Sequence, residues 1–203
     1  MTELLTITDA NAEAAATRAA AALSEGALVV LPTETVYGLA ADARRPDALA
    51  RIYGAKRRDA GKPVAFLAAD VAAIEAAGAV LSPPARALAA RFWPGALTLV
   101  LPRGEGFEGF RVPDHALALD IVRRCGGLLR ATSANLSGEP AALTAGEALR
   151  TLGDAVELAL DAGPVTGGEA STVVRVAGDR IEILRQGPLP AAELEAAARA
   201  GVA

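Results

Sequence analysis

The chain has 203 residues, of which 52% are hydrophobic and 3% aromatic, and its formal net charge at pH 7 is −4. This length suits one well-cored domain, or a domain with a short tail. The acidic balance argues against a protein that coats nucleic acid, and the scarce aromatics argue against broad base stacking. No apolar run is long enough to cross a bilayer, and the first residues lack the pattern of a signal peptide. A single cysteine excludes internal disulfides and zinc sites built from several cysteines. We therefore expect a soluble, cytoplasmic protein.

Apolar runs typical of strands alternate along the chain with Ala- and Leu-rich stretches typical of helices. In chain order, the pattern predicts helix 11–24, strand 27–31, helix 46–55, strand 64–67, helix 70–77, a helix that begins at Ser82 and Pro83, strand 97–101, helix 114–124, strand 128–132, helix 144–152, strands 158–160, 171–176 and 180–184, and a terminal helix 190–200.

Local signals support several of these boundaries. Pro83 stands where the first helical turn has no hydrogen bond to lose, and Thr144 with Glu147 has the spacing of a capping box. An Ala-Gly-Asp turn at 177–179 joins the last two strands. The late run of strands predicts an α/β fold with a mixed sheet, and Gly104 to Gly109 is the one stretch expected to be a flexible loop.

Two pairs of polar residues with the same spacing lie in loops of this apolar chain. Lys56 and Arg58 follow a predicted helix, and Ser133 and Asn135 follow a predicted strand. Two cations and a hydroxyl–amide pair suit the binding of a polyphosphate. Each pair also has an ordinary explanation, because cations complement a helix C-terminus and Ser and Asn are common turn residues.

Other polar residues lie at predicted strand ends, where ligands usually bind in α/β sheets. Thr33, Glu34, Thr35 and Tyr37 follow the first predicted strand, although a turn whose threonines bond their own backbone explains them as well. Two further cations at such junctions, each of which a surface ion pair would also explain, are Arg111 and Arg185.

Several known mechanisms are missing from the sequence. There is no P-loop motif and no Gly-x-Ser-x-Gly nucleophile elbow. His115 is the one histidine, so a catalytic triad or a metal site with several histidines has little to be built from. Covalent catalysis is therefore the weaker interpretation.

Seven short motifs follow one another along the chain. They are Leu31-Pro-Thr-Glu-Thr-Val-Tyr-Gly-Leu39, Lys56-x-Arg58, Phe92-Trp-Pro-Gly-Ala-Leu-Thr-Leu99, Arg111-Val-Pro-Asp-His115, Thr132-Ser-Ala-Asn-Leu-Ser-Gly138, Ser171-Thr-Val-Val174 and Leu184-Arg-Gln-Gly187. In this order they resemble the YrdC/TsaC family of threonylcarbamoyl-AMP synthases, and the resemblance covers most of the chain, from the first predicted strand to Gly187.

The resemblance implies a twisted, open mixed sheet with flanking helices and a large concave, positively charged site. It implies an enzyme that joins L-threonine, bicarbonate or CO2, and ATP into L-threonylcarbamoyladenylate and pyrophosphate, with Mg2+ accompanying the nucleotide. Transfer proteins would then pass the threonylcarbamoyl group to adenosine 37 of tRNA, with at most transient tRNA contact by this chain. The chain resembles the single-domain form, with a core over about residues 8–190 and a helix at 190–200.

The resemblance also assigns roles to individual residues. The family's catalytic and ATP-binding tetrad falls on Lys56, Arg58, Ser133 and Asn135, and a further nucleotide-binding arginine falls on Arg185. The residues implied to contact L-threonine are Thr33, Arg111 and Ser171. No protein ligand for a resident metal is implied.

Three positions depart from the family pattern. Leu67 stands where some members have a threonine-contacting histidine, Ala170 where Glu is usual, and Asp59 where Pro is usual. Alternatives also stay open: a paralogue with this pocket and little synthase activity, an RNA-binding module, and a carbamoyl-transfer module of the hydrogenase-maturation type. The last of these carries cysteine-rich modules for which a chain with one cysteine has no room.

Overall fold

A computed structural model describes residues 2–202 of the chain. The described part contains ten strands, seven α-helices and one 3-10 helix at Gly153–Ala155. The strands are β1 Glu3–Thr6, β2 Val29–Leu31, β3 Gly38–Asp42, β4 Ala65–Ala68, β5 Leu97–Arg103, β6 Gly106–Arg111, β7 Leu128–Ser133, β8 Leu158–Asp161, β9 Thr172–Ala177 and β10 Arg180–Arg185. The helices are α1 Ala12–Ser24, α2 Pro46–Ala55, α3 Val71–Ala76, α4 Pro83–Phe92, α5 Ala116–Arg124, α6 Ala145–Leu152 and α7 Ala191–Ala200.

All ten strands form one sheet in the order β1-β8-β2-β3-β7-β4-β6-β5-β9-β10. Four neighbouring pairs are parallel: β1 with β8, β2 with β8, β4 with β6, and β5 with β9. The other five pairs are antiparallel. The mixed α/β sheet predicted from the sequence is therefore confirmed.

Helices cover the two faces of the sheet unequally. Neighbouring residues of β4 divide between the faces: Leu67 packs into the core beneath α1 and α5, while Phe66 packs into the core beneath α4 and α7. A third core, beneath α2 and α6, covers β2 and β3 on the Phe66 face. The Phe66 face is thus covered along most of its width, but α1 and α5 cover only part of the Leu67 face.

The uncovered part of the Leu67 face forms a cavity. In β5, Leu97, Leu99 and Leu101 are buried in the Phe66-side core, so the alternating residues Thr98 and Val100 point to the opposite face. Those two residues line the cavity, together with residues of β6, β7 and β9.

Every predicted helix and strand is present, with boundaries shifted by a few residues at most, and the caps described next follow local rules. Helix α2 spans 46–55 as predicted, and α4 begins at Pro83 after an N-cap at Ser82. At the start of α6, the Glu147 N–H donates to Thr144 Oγ1 at 3.1 Å, and the Glu147 carboxylate accepts from the Leu143 N–H at 2.7 Å. The capping box is therefore present, with its return bond one residue earlier than usual.

The expectation of a flexible loop at residues 104–109 is wrong. Residues 106–111 form β6, which pairs with β5 across a tight turn at Gly104 and Glu105 and with β4 on its other side. Two glycines in β6 weaken its local strand signal, and pairing with two neighbours compensates for this. Strands β1 and β3 were also not predicted, and β3 is an Ala-rich strand buried along its whole length.

Among residues 2–202, no helix is both long and apolar enough to cross a membrane.

Gly167 allows the loop between β8 and β9 to pack against the loop between β2 and β3. A Cβ atom at Gly167 would lie 2.3 Å from the carbonyl oxygen of Glu34 and 3.0 Å from Thr35 Cα. The neighbouring Gly168 N–H donates to the Thr35 carbonyl at 3.0 Å. The two loops therefore hold each other in place through a contact that excludes a side chain.

We expect Gly167→Ala to push these two loops apart and to lower the free energy of unfolding by about 1–3 kcal/mol, as overpacking does. Urea denaturation measures this change. Gly146→Ala is the matched control, because a Cβ atom there meets nothing within 4 Å and Ala favours helix, so stability should rise by up to about 1 kcal/mol. Wild-type stability of Gly167→Ala would contradict the packing described here.

Candidate active site

The cavity on the open face has a volume of about 310 Å3, within the range of small-ligand sites. Its polar lining includes three arginines from different parts of the chain and four hydroxyl side chains. The residues are Arg58, Arg111, Arg185, Thr33, Thr98, Ser133 and Ser171. No acidic residue is among those that line it, so the lining carries donors suited to anions.

Helix α2 ends in a tight turn, and the side chains just before and just after this turn point in different directions. Arg57 has φ 48°, in the left-handed region, and the Arg58 N–H donates back to the Tyr53 carbonyl at 2.9 Å. This is the bond pattern of a helix stop that usually uses glycine. Lys56, before the turn, is 1% exposed, whereas Arg58, after it, lines the cavity.

Lys56 lies behind the cavity and binds the loop that follows β7. Its Nζ donates to the carbonyl oxygens of Ser133 and Asn135, each at 2.5 Å, and lies 3.4 Å from Asn135 Oδ1. Its own carbonyl accepts from the Ser137 N–H at 3.0 Å. Three acceptors match the three donors of an ammonium group, so Lys56 joins the end of α2 to the end of β7.

Asn135 also turns away from the cavity. Its Nδ2 donates to the carbonyls of Leu136 at 2.8 Å and Glu139 at 2.7 Å. Of the four predicted tetrad residues, Arg58 and Ser133 line the cavity, while Lys56 and Asn135 support the loop that carries Ser133. The structure thus brings all four together, in two layers.

Arg58 is held by the backbone of its own loop. Its Nε donates to the Lys62 carbonyl at 3.2 Å, and Nη2 donates to the Pro63 carbonyl at 3.0 Å. Because these bonds leave Nη1 uncommitted, the guanidinium is both oriented and able to bind a ligand in the cavity.

Thr33 and Arg111 meet at one end of the cavity. Thr33 Oγ1 donates to the Val36 carbonyl at 2.7 Å and lies 3.0 Å from Thr35 Oγ1. Arg111 donates from Nη2 to Thr35 Oγ1 at 2.8 Å and from Nε to the Gly95 carbonyl at 3.1 Å. Both side chains are nearly buried, so this end of the cavity is well ordered.

Ser171 and Arg185 form another part of the wall. Arg185 donates from Nε and Nη2 to the Ser171 carbonyl, at 3.1 and 2.7 Å, and Ser171 Oγ lies 2.8 Å from Thr98 Oγ1. Thr98 was not among the predicted site residues. Its signal was available in the sequence, because it is the one polar residue in the predicted strand 97–101, whose leucines alternate, and it must face away from them.

The positive charges of the site influence one another. Burial, and to a smaller extent the charge of Arg58, lowers the pKa of Lys56 to about 8. Arg185 is largely exposed, yet its guanidinium is sheltered enough that burial lowers its pKa, as do the charges of Arg111 and Arg58. The cations therefore repel one another, and an anionic ligand would relieve this repulsion.

Two of the three departures from the family pattern lie at the cavity itself. Leu67 and Ala170 both line it, which makes that part of the wall apolar. Among the described residues, no group of three or more His, Cys, Asp or Glu side chains is arranged to hold a metal ion.

Residues 21–187 match the model of the Sua5/YciO/YrdC family, whose description is "Telomere recombination". A threonylcarbamoyl-AMP synthase of Bacillus subtilis is 39% identical over 190 residues, which are 88% of this chain and 55% of that protein. A putative threonylcarbamoyl-AMP synthase of Mycobacterium tuberculosis H37Rv is 39% identical over 183 residues, 84% of this chain and 83% of that protein.

The fold is shared with a solved structure. Pyrococcus abyssi Sua5 complexed with L-threonine superposes with a TM-score of 0.87 and 33% identity, over 97% of this chain and 60% of that one. The chain thus spans little more than half the length of the B. subtilis and P. abyssi relatives. Together, the matched motifs, the sheet and these relatives show that the chain belongs to the Sua5/YciO/YrdC family.

Proposed function

We propose that the protein is an L-threonylcarbamoyladenylate synthase, which forms threonylcarbamoyl-AMP and pyrophosphate from L-threonine, bicarbonate or CO2, and ATP. The observation that carries this proposal is the convergence of Arg58, Arg111 and Arg185 on one cavity with no acidic lining. Three cations around hydroxyl donors suit a ligand set of a carboxylate and a triphosphate. The names of the relatives at 39% identity support the same reaction.

Different residues of the cavity suit different substrates. Arg111 would pair with the carboxylate of L-threonine, while Thr33 and Ser171 would contact the rest of the amino acid. Arg58 and Arg185 would bind the triphosphate, and Ser133 would donate to the α-phosphate. The P. abyssi relative was solved in complex with L-threonine, which supports an amino-acid end in this fold.

The proposed reaction needs two bond-forming steps. The threonine amine, having released one proton to solvent, attacks the carbon of CO2, and an N–C bond forms as a C–O π bond breaks. The nitrogen then releases a second proton to solvent, which leaves an N-carboxylate; with bicarbonate, this proton leaves as part of a water molecule. An oxygen of that carboxylate then attacks the α-phosphorus of ATP. The new P–O bond forms as the bond between the α-phosphorus and the bridging oxygen breaks, and pyrophosphate leaves.

Both partners in the second step are anions, so bringing them together is the main electrostatic barrier. The arginines would neutralise this charge without exchanging protons, since a guanidinium stays charged at physiological pH. Ser133 would align the reacting groups, a positioning effect that needs no nucleophile. Lys56 and Asn135 would act one layer back, by fixing the loop that carries Ser133.

We further propose the wider setting of this reaction. Mg2+ would come with the nucleotide, held by its phosphates, since no acidic residue lines the cavity. The product would pass to transfer proteins that modify tRNA, which places the enzyme in the cytoplasm, where ATP and tRNA meet. We also propose that residues 1–203 act as one domain, because α7 packs against α4 in a core shared with the sheet.

We expect pyrophosphate release from ATP to require both L-threonine and bicarbonate. We expect its rate to fall by about 100-fold or more in Arg58→Ala, because losing one hydrogen-bond donor to a transition state typically lowers the rate of an enzyme by that amount. A coupled pyrophosphate assay measures both effects. Lys62→Ala is the control, because it removes an exposed cation from the same loop and should retain the wild-type rate. Release that is indifferent to threonine, or near-normal turnover by Arg58→Ala, would refute the proposal.

Nucleotide affinity should weaken as pH rises through about 8, because the pKa of Lys56 is about 8 and its ammonium is the charge behind the Ser133 loop. The charge is present below that pH and lost above it, so we expect the Kd for ATP without threonine to rise by about tenfold. Isothermal titration calorimetry across this range measures the change. Lys56→Met should bind weakly at every pH, and a wild-type profile parallel to that variant would exclude Lys56 as the titrating group.

A further inference from the structure

Glu34 carries a buried carboxylate that the proposed reaction does not use. It lies in the loop between β2 and β3, and both of its carboxylate oxygens are buried with no hydrogen-bond partner among the described residues. Its Oε1 lies 2.8 Å from Arg111 Nη2, an ion pair without the N–H alignment of a hydrogen bond. A buried carboxylate without hydrogen bonds is costly, so its presence calls for an explanation.

Glu34 acts on the cavity from behind Arg111. Arg111 lines the cavity and its side chain is 9% exposed, whereas Glu34 is not among the lining residues. Nη2 and Nε of Arg111 are already bound to Thr35 Oγ1 and the Gly95 carbonyl. Glu34 is therefore not needed to orient the guanidinium, and its main effect is to supply a negative charge next to it.

Among the described residues, Arg111 is the one cation that forms an ion pair with Glu34. His115 lies close enough that Glu34 and Asp114 raise its pKa, but burial is the larger effect and lowers it. His115 is thus neutral at pH 7, with Nδ1 buried and unbonded. The charge of Arg111 is consequently balanced by Glu34, whereas neither Arg58 nor Arg185 forms an ion pair with an acidic side chain among the described residues.

We propose that Glu34 is a charge filter that makes the Arg111 end of the cavity selective for a zwitterionic amino acid over phosphate anions. A zwitterion has no net charge, so it enters a neutral pair without leaving an excess charge buried. A phosphate group would place two negative charges beside the Glu34 carboxylate, a repulsive arrangement of the kind that creates specificity. Polyphosphate is thereby directed to Arg58 and Arg185. The identity of the amino-acid ligand rests on the proposed function; the exclusion of phosphate does not.

The test compares phosphate binding in the wild type and Glu34→Gln by calorimetry, with and without L-threonine. We expect Glu34→Gln to bind one additional equivalent of inorganic phosphate, and millimolar phosphate to raise its apparent Kd for L-threonine by about tenfold. The wild type and Glu34→Asp, which keep the charge, should show neither effect. A gain of anion binding is a readout that a purely structural role for Glu34 would not produce.

Glu108→Gln is the matched control. Glu108 also pairs with an arginine, Arg130, at 2.9 Å, but it is not among the residues that line the cavity. Removing this carboxylate changes the net charge of the chain by the same amount, and phosphate should still not compete with L-threonine.

Unchanged phosphate binding in a folded Glu34→Gln, or a gain of phosphate binding in Glu34→Asp, would overturn the filter. If Glu34→Gln does not fold, Glu34→Ala takes its place, and failure of both neutral variants to fold would assign Glu34 to stability alone. A wild type that neither binds L-threonine nor releases pyrophosphate would refute the proposed function, while the phosphate comparison would still decide whether Glu34 excludes anions.

Discussion

The buried ammonium of Lys56 is the interaction on which the candidate site depends. It binds the carbonyls of Ser133 and Asn135, each at 2.5 Å, and thereby joins the end of α2 to the end of β7. Without it, both carbonyls would lose a charged donor in a place that water does not reach, which is costly for buried polar groups. Arg58 lies two residues after Lys56. The bonds that hold Lys56 to the Ser133 loop therefore also fix the start of the loop that carries Arg58.

The position of the cavity follows from how the helices are distributed over the sheet. Helices α1 and α5 cover one part of the Leu67 face and leave β6, β5 and β9 open on that side. Those strands are held from the opposite face by α4 and α7, so the open side is rigid although nothing packs on it. The loops that end β2, β7 and β8 surround this floor, and Gly167 permits two of them to touch.

The charged residues of the cavity differ in how their charges are balanced. The charges of Arg111 and Arg58 both act on Arg185, whereas Arg111 alone among these three arginines pairs with a carboxylate, that of Glu34, in the described part of the chain. A polyphosphate gains from the first arrangement and a zwitterion from the second, so one cavity can hold two unlike substrates in a fixed order. Such preorganised charges cost no rearrangement when the anionic groups react.

The sequence by itself determined the seven α-helices of the described residues and the family, because caps, periodicity and motifs depend on residues close together in the chain. It also indicated Lys56, Arg58, Ser133 and Asn135, which lie in or directly behind the cavity wall in the structure. Only the tertiary structure decided that Lys56 and Asn135 face away from the cavity, that β6 is a strand, and that Glu34 pairs with Arg111. Each of these features depends on a partner far away in sequence. Contacts between distant residues set the direction of the Lys56 and Asn135 side chains and the pairing of the glycine-containing strand β6, and no local sequence pattern predicts such contacts.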